Sequence, residues 1–160
     1  LHPARHISAL SDSKQVGAPE RERLCAEIKG RGDGWAVGIA ESDEIDRINI
    51  HHASLAAMRR AVLRLPAAPD EILLDGLPMP ELGMPHDALV GGDRRCYAIA
   101  CASIVAKTLR DHLMRLLALR YPAFGWERNA GYGTPQHLAS LKRDGPTPHH
   151  RRTFAPLSLL

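Results

Sequence analysis

Two carboxylates stand at positions from which a chain can do chemistry. Asp75 ends the apolar run Ile72-Leu73-Leu74 and is followed by Gly76, while Asp93 follows Gly91-Gly92 at the head of a long helical pattern. In α/β folds, ligands gather at the carboxyl ends of strands, so a short buried strand stopping in Asp-Gly is a candidate site. An Asp-Gly turn is the plainer reading of the same residues. Asp93 reads either as a carboxylate held by the free N–H groups and positive end of a helix or simply as its N-cap. Two carboxylates on neighbouring element ends can share Mg²⁺ or Mn²⁺, which take oxygen ligands, keep waters and bind phosphate oxygens. A two-metal phosphodiester site, however, needs a carboxylate cluster, usually of three or more. Tyr132 lies between Gly131 and Gly133, a bare and mobile backbone that would present the ring outward, although local packing is the commoner fate of a loop tyrosine. An exposed aromatic can stack on a sugar or base.

The elements that must position these groups follow from periodicity and punctuation. Pro19 and Gly30 bracket a helix over 20–29, with Leu24 and Ile28 on one face. Gly30-Arg31-Gly32-Asp33-Gly34 is a turn; it lacks the strand before and helix after that a phosphate loop requires. Residues 35–40 read as a strand, 42–46 as an acidic connector and 49–65 as a second helix carrying Ile50, Ala53, Ala57, Ala61 and Leu65 on its stripe. His51 and His52 are adjacent, so they point in different directions and do not make a shared metal site. A proline-stiffened loop over 77–85 leads to a short strand over 87–90. Ile99, Ala102, Ala106, Leu109, Leu113 and Leu116 then form the stripe of the long helix. Small residues Ala98, Ala102, Ser103 and Ala106 on that helix predict a close approach to a sheet. Thr134 as N-cap and Pro135 at the first helical position start a helix reaching about Arg143. Residues 145–154 form a basic loop stiffened by Pro146 and Pro148.

Composition narrows the function classes. At 160 residues, 44% hydrophobic and 24% charged, the chain suits one globular domain. The longest apolar run, 96–106, falls well short of the ~20 residues of a membrane helix, and no signal-peptide pattern is recognised. Three cysteines match neither a disulfide framework nor a zinc motif, which predicts ordinary thiols and a cytoplasmic setting. Net charge is +3, distributed unevenly: residues 115–160 carry +5 and residues 1–114 carry −2. A basic C-terminal third fits a polyanionic partner such as nucleic acid. A monomer is the default expectation.

The chain resembles bacterial ribonuclease HII. The matching stretches are Asp12-Ser13-Lys14, Glu44-Ile45-Asp46 with Asn49-Ile50, Leu74-Asp75-Gly76 and Gly92-Asp93. They continue with 102–107 (Ala-Ser-Ile-Val-Ala-Lys), Arg110-Asp111 and Met114, then Gly131-Tyr132-Gly133-Thr134 with His137, and 145–148 (Gly-Pro-Thr-Pro) with His150-Arg151 and Phe154. The resemblance spans about 7–156 and implies one ribonuclease HII-type domain over 1–160. It implies an α/β, ribonuclease H-like fold: a mixed sheet flanked by helices, with a C-terminal helical and basic part over about 120–160. The implied activity is endonucleolytic hydrolysis of RNA in RNA/DNA hybrids and at ribonucleotides embedded in duplex DNA. Cutting falls 5′ of the ribonucleotide and leaves 3′-hydroxyl and 5′-phosphate ends, in the service of DNA replication and repair. Mn²⁺ or Mg²⁺ is the implied cofactor. Asp75 and Asp93 match family metal ligands, and Tyr132 matches the tyrosine that recognises the step from ribonucleotide to the following DNA nucleotide. Lys14, Lys107 and Arg110 fall in family motifs as candidate substrate-binding residues, with backbone-phosphate contact expected for Lys14.

Two departures qualify that resemblance. The family opens with a strand followed by Asp-Glu-Ala-Gly-Arg-Gly, which supplies two further carboxylates and reads the ribose 2′-hydroxyl. No such segment precedes Asp12 here, and residue 1 is Leu. The expectation is therefore a chain lacking its first strand or strands, with an unpaired sheet edge and weak or absent cleavage of its own. Asn129-Ala130 also stands where the family often has His-Lys, removing positive charge beside Tyr132. A non-catalytic nucleic-acid-binding module is the competing reading, using Tyr132 and the basic tail while Asp93 merely caps its helix.

Overall fold

The computed structural model describes residues 17–155 and 157–159, so the Asp12-Ser13-Lys14 motif and its candidate Lys14 lie outside the described residues. The chain divides into two compact units: residues up to Ile39 with Ser54–Thr108, and Ala40–Ala53 with the residues from Leu109 onward.

In the first unit, α1 (Ala18–Arg31) begins with Pro19 in its first turn and closes on Gly32, whose N–H donates to Ile28 O at 2.9 Å. It runs two residues beyond the expected end, carrying Gly30 inside it. Leu24, Cys25 and Ile28 pack against Ala100, Cys101, Ile104 and Val105, with Val37 and Tyr97 alongside. Tyr97, Ala100, Cys101, Ile104 and Val105 belong to the long helix α4 (Tyr97–Arg120), and Val37 to the segment between α1 and the next helix. Among the described residues, 35–40 pair with no strand; Arg60 Nη1 donates to Ile39 O at 2.7 Å and Arg64 Nη1 to Val37 O at 3.2 Å. Both arginines come from α2 (Ser42–Leu63) or just beyond its end. Gly38 lies so close to α2 that an added Cβ would sit 1.8 Å from Ala57 O. Among the described residues the segment is thus a strap laid on a helix.

The described sheet has two strands, β1 (Leu73–Asp75) and β2 (Asp87–Leu89), paired in parallel with Leu73 opposite Asp87, Leu74 opposite Ala88 and Asp75 opposite Leu89. Gly76 N–H to Leu89 O and Asp87 N–H to Ile72 O extend the ladder at 3.1 and 2.9 Å. Leu55, Leu74 and Leu82 form the core beneath, joined by Met58, Ile72, Met79 and Met84. The loop between the strands is held as well as stiffened: Met79 N–H donates to His86 Nε2 at 3.0 Å, and His86 Nδ1 donates to Met84 O at 2.7 Å.

In the second unit the acidic connector is helical, because α2 starts at Ser42 and not at Asn49. Asn49 interrupts α2 with φ 65°, and its Oδ1 accepts from His52 N–H at 3.2 Å. It therefore caps the helix that sequence periodicity began there. Asp46 turns the connector into an anchor by accepting from Arg152 N–H (2.7 Å), Thr153 N–H (2.9 Å) and Thr153 Oγ1 (2.6 Å). Those hydrogen bonds also hold its carboxyl below the usual range against the opposing effect of burial. Ala118, Phe124, Trp126 and Leu141 make the core, with the Phe124 and Trp126 rings stacked at 5.1 Å. The terminal helix of this part is Pro135–Asp144, started as expected by Thr134, whose Oγ1 accepts from His137 N–H at 3.3 Å.

Of the stripe assigned to α4 from sequence, Ile99 is buried and Leu109 half-buried, and the rest is out of phase. Ala98, Ala102 and Ala106 are exposed, as are Leu113 and Leu116, while Cys101, Ile104, Val105 and Ala118 are buried. Over 96–106 nearly every residue is apolar, so more than one helical phase fits the pattern. Packing against α1 chooses the face.

Candidate active site

Asp75 is the last residue of β1, as the abrupt end of the apolar run suggested. Its Oδ1 accepts a hydrogen bond from Gly92 N–H at 2.8 Å. This contact ties the end of β1 to the chain one residue before Asp93, across 17 residues of sequence. A Cβ added at Gly92 would lie 2.5 Å from Ile99 Cδ1, so the Ile99 side chain would have to shift, and at ordinary contact, 3.5 Å, from Asp75 Oδ1. Asp93 is not the N-cap of the long helix. It lies within a single separate turn, α3 (Gly92–Arg95), capped by Gly91 in the left-handed region, and Cys96 in extended conformation divides that turn from α4. Asp93 is 5% exposed. Its Oδ1, closed to solvent, accepts no hydrogen bond, while the residue keeps other interactions. Asp75 is exposed. The two carboxylates thus differ in environment although that of Asp75 is fastened to the backbone beside Asp93.

Carboxylate oxygens are the right donors for a hard divalent cation. Their number is too small: among the described residues no group of three or more His, Cys, Asp or Glu could hold a metal ion. The described residues alone therefore do not make a metal centre. In the second unit, the carboxylate of Asp46 is engaged with the tail.

Tyr132 is 73% exposed, so the ring is presented outward as expected, but its backbone is tied on both sides. Tyr132 N–H donates to Asn129 O at 2.8 Å, and Tyr132 O accepts from Thr134 N–H at 2.8 Å and from His137 Nδ1 at 2.9 Å. The expectation of a bare, mobile mount is corrected by these bonds. Asn129 is the residue that sequence reading undervalued. It is buried; its Nδ2 donates to Phe124 O (2.7 Å) and Thr134 Oγ1 (3.3 Å), while its Oδ1 accepts from Gly131 N–H (2.9 Å). An asparagine two residues before a turn glycine is the signal that could have flagged it. Arg110 is exposed on α4, and its Nη2 donates to Ala130 O at 2.9 Å, bracing the same loop. Lys107 is half-buried on α4. The tail contributes Arg151, whose guanidinium lies 4.0 Å over the Phe154 ring.

The arrangement in the first unit is an α/β strand-end acidic site; that of the second is a fixed aromatic beside basic residues. A family model described as Ribonuclease HII matches residues 6–157. Ribonuclease HII of Thiobacillus denitrificans is 49% identical over 160 residues, covering 100% of this chain and 78% of that protein. Ribonuclease HII of Granulibacter bethesdensis is 50% identical over 153 residues, covering 95% and 70%. Among solved structures, the ribonuclease H2 from Pyrococcus horikoshii OT3 superposes with a TM-score of 0.79 at 22% identity, covering 94% of this chain and 79% of that one; it speaks to the fold. The chain belongs to the ribonuclease HII family. That family comprises endoribonucleases that depend on divalent metal and act on RNA/DNA hybrids. The ribonuclease H-like α/β fold stands, and among the described residues no helix is long and apolar enough to cross a membrane.

Proposed function

We propose that this chain carries the substrate-reading part and half of the carboxylate set of a ribonuclease HII that acts on RNA/DNA hybrids and on duplex DNA containing single ribonucleotides. Cleavage falls 5′ of the ribonucleotide and leaves 3′-hydroxyl and 5′-phosphate ends. The observation that carries this reading is the 2.8 Å bond from Gly92 N–H to Asp75 Oδ1, which fastens the end of β1 beside Asp93. Mn²⁺ or Mg²⁺ is the cofactor; Asp75 and Asp93 contribute oxygen ligands, and further ligands come from outside the described residues. Tyr132 stacks on the sugar or base at the ribonucleotide step. Lys14 and Lys107 neutralise backbone phosphate, and Arg110 does so while bracing the Tyr132 loop. The 160 residues work as a single ribonuclease HII-type domain and a cytoplasmic monomer.

With two carboxylates in place of four, the chain on its own cuts weakly or not at all. A binding-only module is the second reading, favoured by the lack of a three-member ligand group among the described residues. A labelled DNA duplex with one embedded ribonucleotide, assayed with Mn²⁺ and with Mg²⁺, separates these. The test compares this chain, its Asp75→Asn variant, and a version preceded by the Asp-Glu-Ala-Gly-Arg-Gly strand. Cutting by the extended version alone supports the proposal. Cutting by the chain itself, lost in Asp75→Asn, means that its carboxylate set is sufficient. Binding without cutting by any version favours the module.

A further inference from the structure

His137, buried, and His150, half-buried, form a hydrogen-bonded pair with one consistent assignment of protons. Tyr132 O can only accept, so His137 Nδ1, 2.9 Å away, carries the proton and its Nε2 is an acceptor. His150 Nε2, 3.0 Å from that nitrogen, must then be the donor. This makes His150 Nδ1 the acceptor, and Thr147 N–H and Oγ1 meet it at 3.0 and 2.9 Å. Trp126 Nε1 makes a longer second approach to His137 Nε2 at 3.4 Å. The chain of bonds therefore runs in one direction, Thr147 to His150 to His137 to Tyr132 O. Both rings are closed in by Phe124 and Trp126. Either ring in its charged form would set a donor against a donor. Burial, with the neighbouring His137 and His149 adding to it, keeps His150 neutral by pushing it down to about 4.

We propose that the His137–His150 pair is a positioning relay that fastens the Tyr132 loop to the seated tail at Thr147, so that tail seating sets how sharply the chain distinguishes a ribonucleotide-containing duplex from plain DNA. The relay rests on the reading of Tyr132 given above for its consequence, but not for its geometry. His137 and His150 are positioning residues; neither ring is presented to substrate, since His137 is buried and His150 half-buried.

The test has a substrate-free arm and a substrate arm, both on the full chain. Histidine ¹⁵N spectra at neutral pH are expected to show His137 with its proton on Nδ1 and His150 with its proton on Nε2; the opposite pair, or a charged ring, overturns the relay. In His150→Phe, amide exchange at Tyr132 and Thr134 is expected to rise about tenfold, the effect of losing one such bond. Exchange at Gly32, whose N–H closes α1, is expected to stay unchanged. His150→Gln, which keeps a donor toward His137, is expected to restore most of the protection, and it carries the test if His150→Phe does not fold. Unchanged exchange at Tyr132 and Thr134 overturns the relay. In the substrate arm, the affinity ratio between a duplex with one ribonucleotide and its all-DNA counterpart is expected to fall several-fold in His150→Phe. Faster exchange with an unchanged ratio overturns the role in discrimination. A wild-type chain that shows no discrimination overturns the Tyr132 reading instead, and the exchange data still decide the relay.

Discussion

The carboxylate corner of the first unit and the tyrosine loop of the second are built on opposite plans. Asp75 and the turn that holds Asp93 are joined by the bond from Gly92 N–H to Asp75 Oδ1, made across the sequence beside the parallel strand pair. Tyr132 is fixed by a dense local mesh in which Asn129, Thr134 and His137 all lie within five residues of it. A site assembled by long-range pairing owes its geometry to the sheet. A site assembled by local side-chain bonds carries its geometry with it. The first plan leaves one carboxylate exposed and the other buried, whereas the second presents an exposed ring on a backbone that is held.

That contrast can be broken most sharply at Asp75. In a version that cuts, Asp75→Asn is expected to lower cleavage by roughly a hundredfold or more, since even outer-shell changes cost tenfold to a hundredfold. Asn still offers an oxygen to Gly92 N–H, so thermal melting should hardly move; a large fall in melting temperature would mean that Asp75 is structural. Asn129→Ala removes three bonds from the tyrosine mount. It is expected to cost about 2–3 kcal/mol, read by urea unfolding, because buried partners are left unsatisfied. The loss should come with weaker ribonucleotide discrimination, which would tie mesh and function together. Tyr132→Ala should leave stability within about 0.5 kcal/mol, as an exposed ring does. Duplex affinity should fall roughly tenfold, the effect of a lost stacking contact, measured by fluorescence anisotropy. Equal affinity would show that the ring is not the reader.

The smallest effect concerns pH. His150 is held neutral, down to about 4 from its ordinary 6.5, chiefly by burial. The unfolded chain takes up a proton below about 6.5 and the folded one does not, so stability is full above that value and declines as pH falls toward 4. A series of melting temperatures should show this decline, flattened in His150→Gln. No flattening would mean that other groups carry the acid sensitivity.

Much of this was legible in the chain, and the misreadings have physical causes. Asp75 at a strand end and Thr134-Pro135 at a helix start were readable because each is local punctuation of the backbone. Residues 35–40 looked like a strand from composition alone, but a strand exists only through a partner, and Arg60 and Arg64 took the place of one. The acidic 42–46 segment reads as a connector, but it is the start of α2, and its Asp46 holds the tail at Arg152 and Thr153, over a hundred residues away. Asn129 was read as a lost positive charge, although an amide that both donates and accepts can knit a turn.

The sequence by itself determined the family, the helix-rich α/β class, the two carboxylates and the exposed tyrosine, because motif residues and turn chemistry are written in neighbouring positions. Only the tertiary structure decided which face of α4 is buried, that Asp93 sits in a separate turn instead of capping the long helix, and that His137 and His150 meet. Each of those depends on where another segment lies. A run as uniformly apolar as 96–106 permits several helical phases until α1 packs against one of them.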